Sequence, residues 1–98
     1  MITEHALITI QAGRQAEFEQ EFPKAKAVIS QANGFVDLNL HRGIETPDTY
    51  LLLIRWQTLE DHTVGFRQSA LFAEWRAIIG PFFASPPLVD HYEPIEEL

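Results

Sequence analysis

The sequence predicts an α+β domain in the order strand, helix, strand, strand, helix, strand. Three observations carry this reading. Phe35 to Arg42 alternates apolar and polar residues, the period of a strand with one buried face. Two longer stretches, Arg14 to Ala32 and Ala70 to Ile79, repeat apolar residues at spacings of three and four, the period of a helix. Between them, Tyr50 to Trp56 does not alternate: Leu51, Leu52, Leu53 and Ile54 follow one another, so both faces of that strand need cover. The order is that of the ferredoxin-like βαββαβ arrangement, a four-stranded antiparallel sheet with its helices on one face.

Taken in order, Ile2 to Ile10 is rich in β-branched and apolar residues and reads as the first strand, ended by Gly13. The first helix buries Phe18, Phe22, Ala25, Val28, Ile29 and Ala32. Pro23 inside it has no N–H to donate and is expected to kink or break it. Asn33-Gly34 closes the helix. In the second strand Val36, Leu38 and Leu40 point one way, and Asp37, Asn39 and His41 the other. Gly43 to Thr49 reads as a hairpin loop. Thr58 is placed to cap a helix running to about Arg67, with an interruption at Gly65, and Ser69 to cap the next one, whose face is Leu71, Phe72, Trp75, Ile78 and Ile79. Gly80-Pro81 stops that helix. Ser85-Pro86-Pro87 is a rigid connector to a last strand, Leu88 to Glu93, and the acidic tail of Glu93, Glu96 and Glu97 reads as a solvated end.

Composition narrows the function. With 98 residues the chain is sized for one domain, residues 1–98, and 46 % apolar residues mark it as globular. Without Cys there is no disulfide, thiolate nucleophile or Cys-based metal site. A net charge of −7, with seven scattered Lys and Arg, argues against a nucleic-acid partner. No apolar run approaches the roughly 20 residues of a membrane helix, and the start lacks a basic n-region, so no membrane association and a cytoplasmic location are expected. Nucleotide-binding glycine motifs and helical His pairs are absent, so no cofactor and no metal are expected.

The residues with chemical capacity concentrate between Trp56 and Arg76. Trp56 ends the apolar strand, either as a core aromatic or as a pocket wall whose N–H holds a ligand oxygen. His62 lies one helical turn into the next element, either as a surface residue or as a proton acceptor. Arg76 follows Phe72 by one turn on an apolar face, either reaching out to water or stabilising an anionic oxygen. Three such residues on a strand end and the facing helix make a stronger case together than any one alone.

On these residues the chain resembles the antibiotic biosynthesis monooxygenase family of dimeric α+β barrels, over nearly its whole length. The resemblance rests on the strand-closing YLLLIRW, the acidic helix start TLEDH, the S-x-x-F of Ser69 to Phe72, and a final strand after a Pro-rich connector. It implies a homodimer through the open sheet face, which would cover Leu51 and Leu53. It also implies a pocket for a small aromatic ligand between sheet and helices, lined by Leu38, Leu40, Leu52, Ile54, Phe66 and Phe72. The family's cofactor-free anthrone oxygenases carry a strand-end Trp and an Arg at the spacing of Trp56 and Arg76, whereas their Tyr six positions after the Trp is His62 here, and their polar Asn and Tyr correspond to Leu52 and Leu40. The haem-degrading branch needs an Asn, a Trp and an axial His where Ala6, Phe66 and Arg76 stand. The implied activity is a cofactor-independent monooxygenase acting on a reduced aromatic or quinol-type molecule, with Trp56 orienting substrate, Arg76 stabilising the anion and His62 accepting the proton. The alternative is a non-catalytic dimeric binding or stress-response module of the same fold.

Overall fold

The computed structural model describes residues 1–95, so Glu96 and Glu97 of the acidic tail lie outside the described residues. Four strands form one antiparallel sheet: β1 (Ile2–Thr9), β2 (Phe35–Arg42), β3 (Thr49–Trp56) and β4 (Leu88–Tyr92), in the order β2-β3-β1-β4. Two helices, α1 (Gln15–Ile29) and α2 (Ala70–Ile79), cover one face. This is the ferredoxin-like architecture that the element order predicts. No helix of the described residues is long and apolar enough to cross a membrane.

Register decides which side chains meet under the helices. Leu38, Ile54, Glu4 and His91 lie side by side across the sheet, and Leu40, Leu52, Ala6 and Val89 form the adjoining row. All but Glu4 and His91 are apolar. Phe18, Phe22, Ala25 and Ile29 of α1 and Trp75 and Ile79 of α2 close over these rows. The other face carries His41, Leu51, Leu7 and Leu88 in one row and Asn39, Leu53, His5 and Asp90 in the next. There Leu51 and Leu53 are half-buried, while Leu7 and Leu88 are exposed.

Several local expectations are corrected. Pro23 does not break α1, which runs unbroken through it. Pro23 faces solvent, so the Glu19 carbonyl it leaves unpaired is within reach of water. Val36 does not share a face with Leu38 and Leu40, because a bulge between Phe35 and Asp37 places Phe35 opposite Trp56 instead. Ser69 occupies the N-cap position of α2, but its hydroxyl donates to the Phe66 carbonyl at 2.7 Å rather than accepting from the helix. The stretch expected as a helix to Arg67 opens into a π-helical turn, Asp61–Phe66, where the Arg67 N–H donates to the His62 carbonyl five residues back at 3.1 Å. Thr58 does serve its start, accepting from the Asp61 N–H at 3.1 Å.

Candidate active site

The wide turn has a direct effect on side chains. In a helix of more than four residues per turn, His62 and Phe66 come round to the same side, and both are buried. The His62 ring stacks on Trp56 at 5.3 Å between centroids and 19° between planes, and Phe66 packs against Trp56 at 5.6 Å. The imidazole is thereby held against the sheet directly over β1.

There it meets Glu4, a carboxyl on the apolar face of β1. Glu4 is 6 % exposed and His62 3 %. The Trp56 indole N–H donates to Glu4 Oε1 at 3.0 Å, and His62 Nε2 lies 3.2 Å from the same oxygen. The other nitrogen of His62, Nδ1, lies 2.8 Å from Nε2 of His91, which β4 places opposite Glu4 in the sheet. Both oxygen contacts fall on Oε1. No fully buried side-chain N or O lacks a partner among the described residues, so Oε2 has access to open space, and Glu4 borders the main cavity.

That cavity has a volume of about 310 Å³. Glu4, Ala6, Ile8, Leu52 and Val89 form its sheet side, and Phe66, Phe72, Trp75 and Ile79 its helix side. Phe83, Pro86 and Pro87 of the connector close one end. Arg67 and Arg76 border it and are exposed, which places them where it opens to water. The Arg76 guanidinium lies 5.7 Å from the Phe72 ring centroid. Of the Arg residues, Arg14, Arg42 and Arg55 are paired with carboxylates, whereas neither Arg67 nor Arg76 has a carboxylate partner among the described residues. In a chain of charge −7 the two unpaired guanidinium groups stand at the same opening.

Burial sets the protonation of the polar groups. It raises the Glu4 carboxyl from 4.5 to about 7, against the opposing pull of the Trp56 bond and the Arg67 charge. It lowers His62 from 6.5 to about 3, helped by Arg67 and His91, so His62 is neutral at ordinary pH. His91 is lowered too, by burial and by Arg67, with Asp90 acting in the opposite sense.

The expected site residues therefore separate. His62, Arg76, Leu52, Phe66 and Phe72 border the cavity. Trp56 does not: it is fully buried behind Glu4, and its single N–H is taken, so it has no donor left for a ligand. Leu38, Leu40 and Ile54 do not border it either: Leu38 and Leu40 lie on β2, at the edge of the sheet opposite β4, and Ile54 on β3 is fully buried in the core. Leu40 borders a second hollow of about 280 Å³ with Glu19, Arg42 and Tyr50. Its polar groups satisfy one another: Tyr50 donates to Glu19 at 2.6 Å and Arg42 donates to both Glu19 oxygens at 2.9 and 3.0 Å. Sequence reasoning missed Glu4, His91 and Arg67. The signal for Glu4 was present in the alternation Glu4, Ala6, Ile8, Ile10, one acid in an otherwise apolar row.

The profile of the antibiotic biosynthesis monooxygenase family matches residues 1–78. The chain belongs to that family. A Bordetella bronchiseptica protein with the same family designation has a crystal structure that is 44 % identical to this chain, covers 96 % of both chains and superposes with a TM-score of 0.92. YczJ of Bacillus subtilis (strain 168), an uncharacterised protein, is 39 % identical over 95 residues, 97 % of this chain and all of YczJ. SnoaB of Streptomyces nogalater, a cofactor-independent oxygenase, shares the fold with a TM-score of 0.80 at 18 % identity, over 99 % of this chain and 95 % of its own.

Proposed function

We propose that this protein is a cofactor-independent monooxygenase that oxidises a reduced aromatic or quinol-type molecule with O₂, with Glu4 as its general base. One observation carries the reading: a buried carboxyl poised near 7 presents a free oxygen to an apolar cavity. A base is most effective when its pKa lies near the working pH, and an apolar surround strengthens every charge interaction inside it. For an activated methylene between aromatic rings, the C–H bond breaks, the proton passes to Glu4 Oε2, and the electron pair stays on the ring system. That anion gives one electron to O₂, and the two radicals combine as a peroxide, which the Glu4 proton completes. Loss of water leaves a ketone, so R₂CH₂ and O₂ give R₂C=O and H₂O, with all four electrons supplied by the substrate. Arg76, with Arg67 beside the same opening, stabilises the oxyanion as it develops. Trp56 and His62 act on Glu4 rather than on substrate. Family membership and the fold shared with a cofactor-independent oxygenase support this assignment.

The same reading includes a homodimer through the open sheet face. Leu51, Leu7 and Leu88 form an apolar row there with no cover from the chain's own helices. A second reading, a binding module without turnover, draws on Leu52, which gives the cavity an apolar wall where the anthrone-oxidising branch carries Asn. Oxygen uptake and substrate depletion with anthrones and hydroquinones separate the two. Uptake by the wild type that is lost in Glu4→Gln supports the oxygenase. Saturable binding of these compounds without uptake moves the conclusion to the binding module.

A further inference from the structure

The polar contacts behind Glu4 have a direction that follows from the donor and acceptor capacities of the groups. An indole N–H only donates, and an ionised carboxylate only accepts. His62 Nε2 lies 3.2 Å from Glu4 Oε1, where a lone pair would face a negative oxygen, so the proton of His62 belongs on Nε2. A neutral imidazole then has only a lone pair at Nδ1, so His91 must donate from Nε2 across the 2.8 Å contact. The ladder runs one way, from His91 through His62 to Glu4 Oε1, where the Trp56 N–H also arrives. We propose that His91 is a positioning residue for the base: its Nε2–H holds His62 in the Nε2–H tautomer, which makes Glu4 Oε2 the proton-accepting atom of the cavity.

This arrangement suits repeated proton transfer. When Oε2 takes a proton, Oε1 remains an acceptor for both of its donors, and nothing behind it has to turn. A base whose partners keep their places through the reaction loses no energy to reorganisation. The placement of His91 follows from the fold, since β4 sets it opposite Glu4 on the same face of the sheet. The charged and titratable groups acting on the ladder are Arg67 on Glu4, His62 and His91, and Asp90 on His91. Protonation of His91 leaves its Nε2–H in place and so leaves the ladder intact.

The inference rests on Glu4 being the base, but its first test involves no turnover. In ¹⁵N-histidine spectra recorded at about pH 8.5, above the Glu4 titration, His62 is expected as the Nε2–H tautomer in the wild type and in His91→Gln, whose amide N–H replaces the donor. It is expected as a tautomer mixture in His91→Leu. The Glu4 titration, followed by its carboxyl ¹³C signal, should move up by about 0.5–1 pH unit in His91→Leu and return towards wild type in His91→Gln, the size of one hydrogen bond. Where a substrate is turned over, the rate profile should shift by the same amount. A wild-type His62 carrying its proton on Nδ1, or a His91→Leu protein with unchanged tautomer and Glu4 midpoint, overturns the role of His91. An intact ladder in a protein that oxidises nothing overturns the oxygenase reading and leaves the ladder standing.

Discussion

Replacing Glu4 by Gln is expected to stabilise the protein and disable it together. The wild-type carboxyl binds its proton with a pKa of 4.5 when unfolded and about 7 when folded. A raised folded value means that the folded state holds the proton more tightly. The stability this contributes is complete below about pH 4.5 and is lost as pH rises through about 7. The interval corresponds to about 3 kcal/mol, at roughly 1.4 kcal/mol per pH unit. Gln has no charge to bury and can turn its carbonyl towards Trp56 and His62. At about pH 8.5 the variant should therefore exceed the wild type by about 3 kcal/mol, or on the order of 15 °C in Tm for a domain of this size. At about pH 4.5, where Glu4 is neutral, the difference should vanish. Thermal unfolding followed by circular dichroism at the two pH values measures it, and oxygen uptake measures the loss, expected at 10²-fold or more for a general base. A Glu4→Gln protein that gains nothing at high pH, or that keeps wild-type turnover, refutes the placement of an ionisable base in this cavity.

His62 acts in the opposite sense on wild-type stability. Its lowered pKa gives stability that is complete above 6.5 and lost as pH falls through about 3, so urea midpoints should decline on the acid side as well. Arg76→Leu removes a charge that matters most as the anion forms, and kcat should fall by roughly 10²-fold with a smaller change in KM. Trp56→Phe keeps a ring under His62 but removes the donor to Glu4; the Glu4 midpoint in the pH–rate profile should rise, and an unchanged midpoint would show that this bond does not set it. Leu53→Asp places an unpaired charge on the open sheet face, and sedimentation should show the dimer dissociating or the chain unfolding; a wild type that sediments as a monomer removes the dimer altogether.

The fold was legible because it depends on periodicity. Alternation in β2, the unbroken apolar run of β3 and the three-and-four spacing of the helices each report a local geometry that burial then enforces. The site was legible only in part. Arg76, His62 and Phe72 were identifiable as chemical or apolar residues near a strand end, and they do reach one cavity. The choice between the two readings of Trp56 was not legible, because an indole N–H looks equally available whether it faces a ligand or a neighbouring strand. Only the register of β1 against β3 brings it to Glu4. His62 gave no sign of being buried, since nothing in DHTVGF announces a turn of more than four residues. Glu4 is hard to single out among fourteen Asp and Glu, most of which belong at the surface, although its apolar neighbours in β1 mark it as different.

The end wall of the cavity comes from a stretch that is neither strand nor helix. Phe83, Pro86 and Pro87 lie in the connector between α2 and β4, beyond residue 78, where the match to the family profile stops. The residues that shut the binding space are thus distinct from the strands and helices that build its walls. The two prolines hold that wall at little conformational cost, because each presets its own backbone angle and gives up little freedom on folding. The length and bulk of a ligand that the cavity admits are then set in part by this short connector. Exchanging residues 83–87 between relatives that share the frame is the direct way to move one ligand preference onto another member.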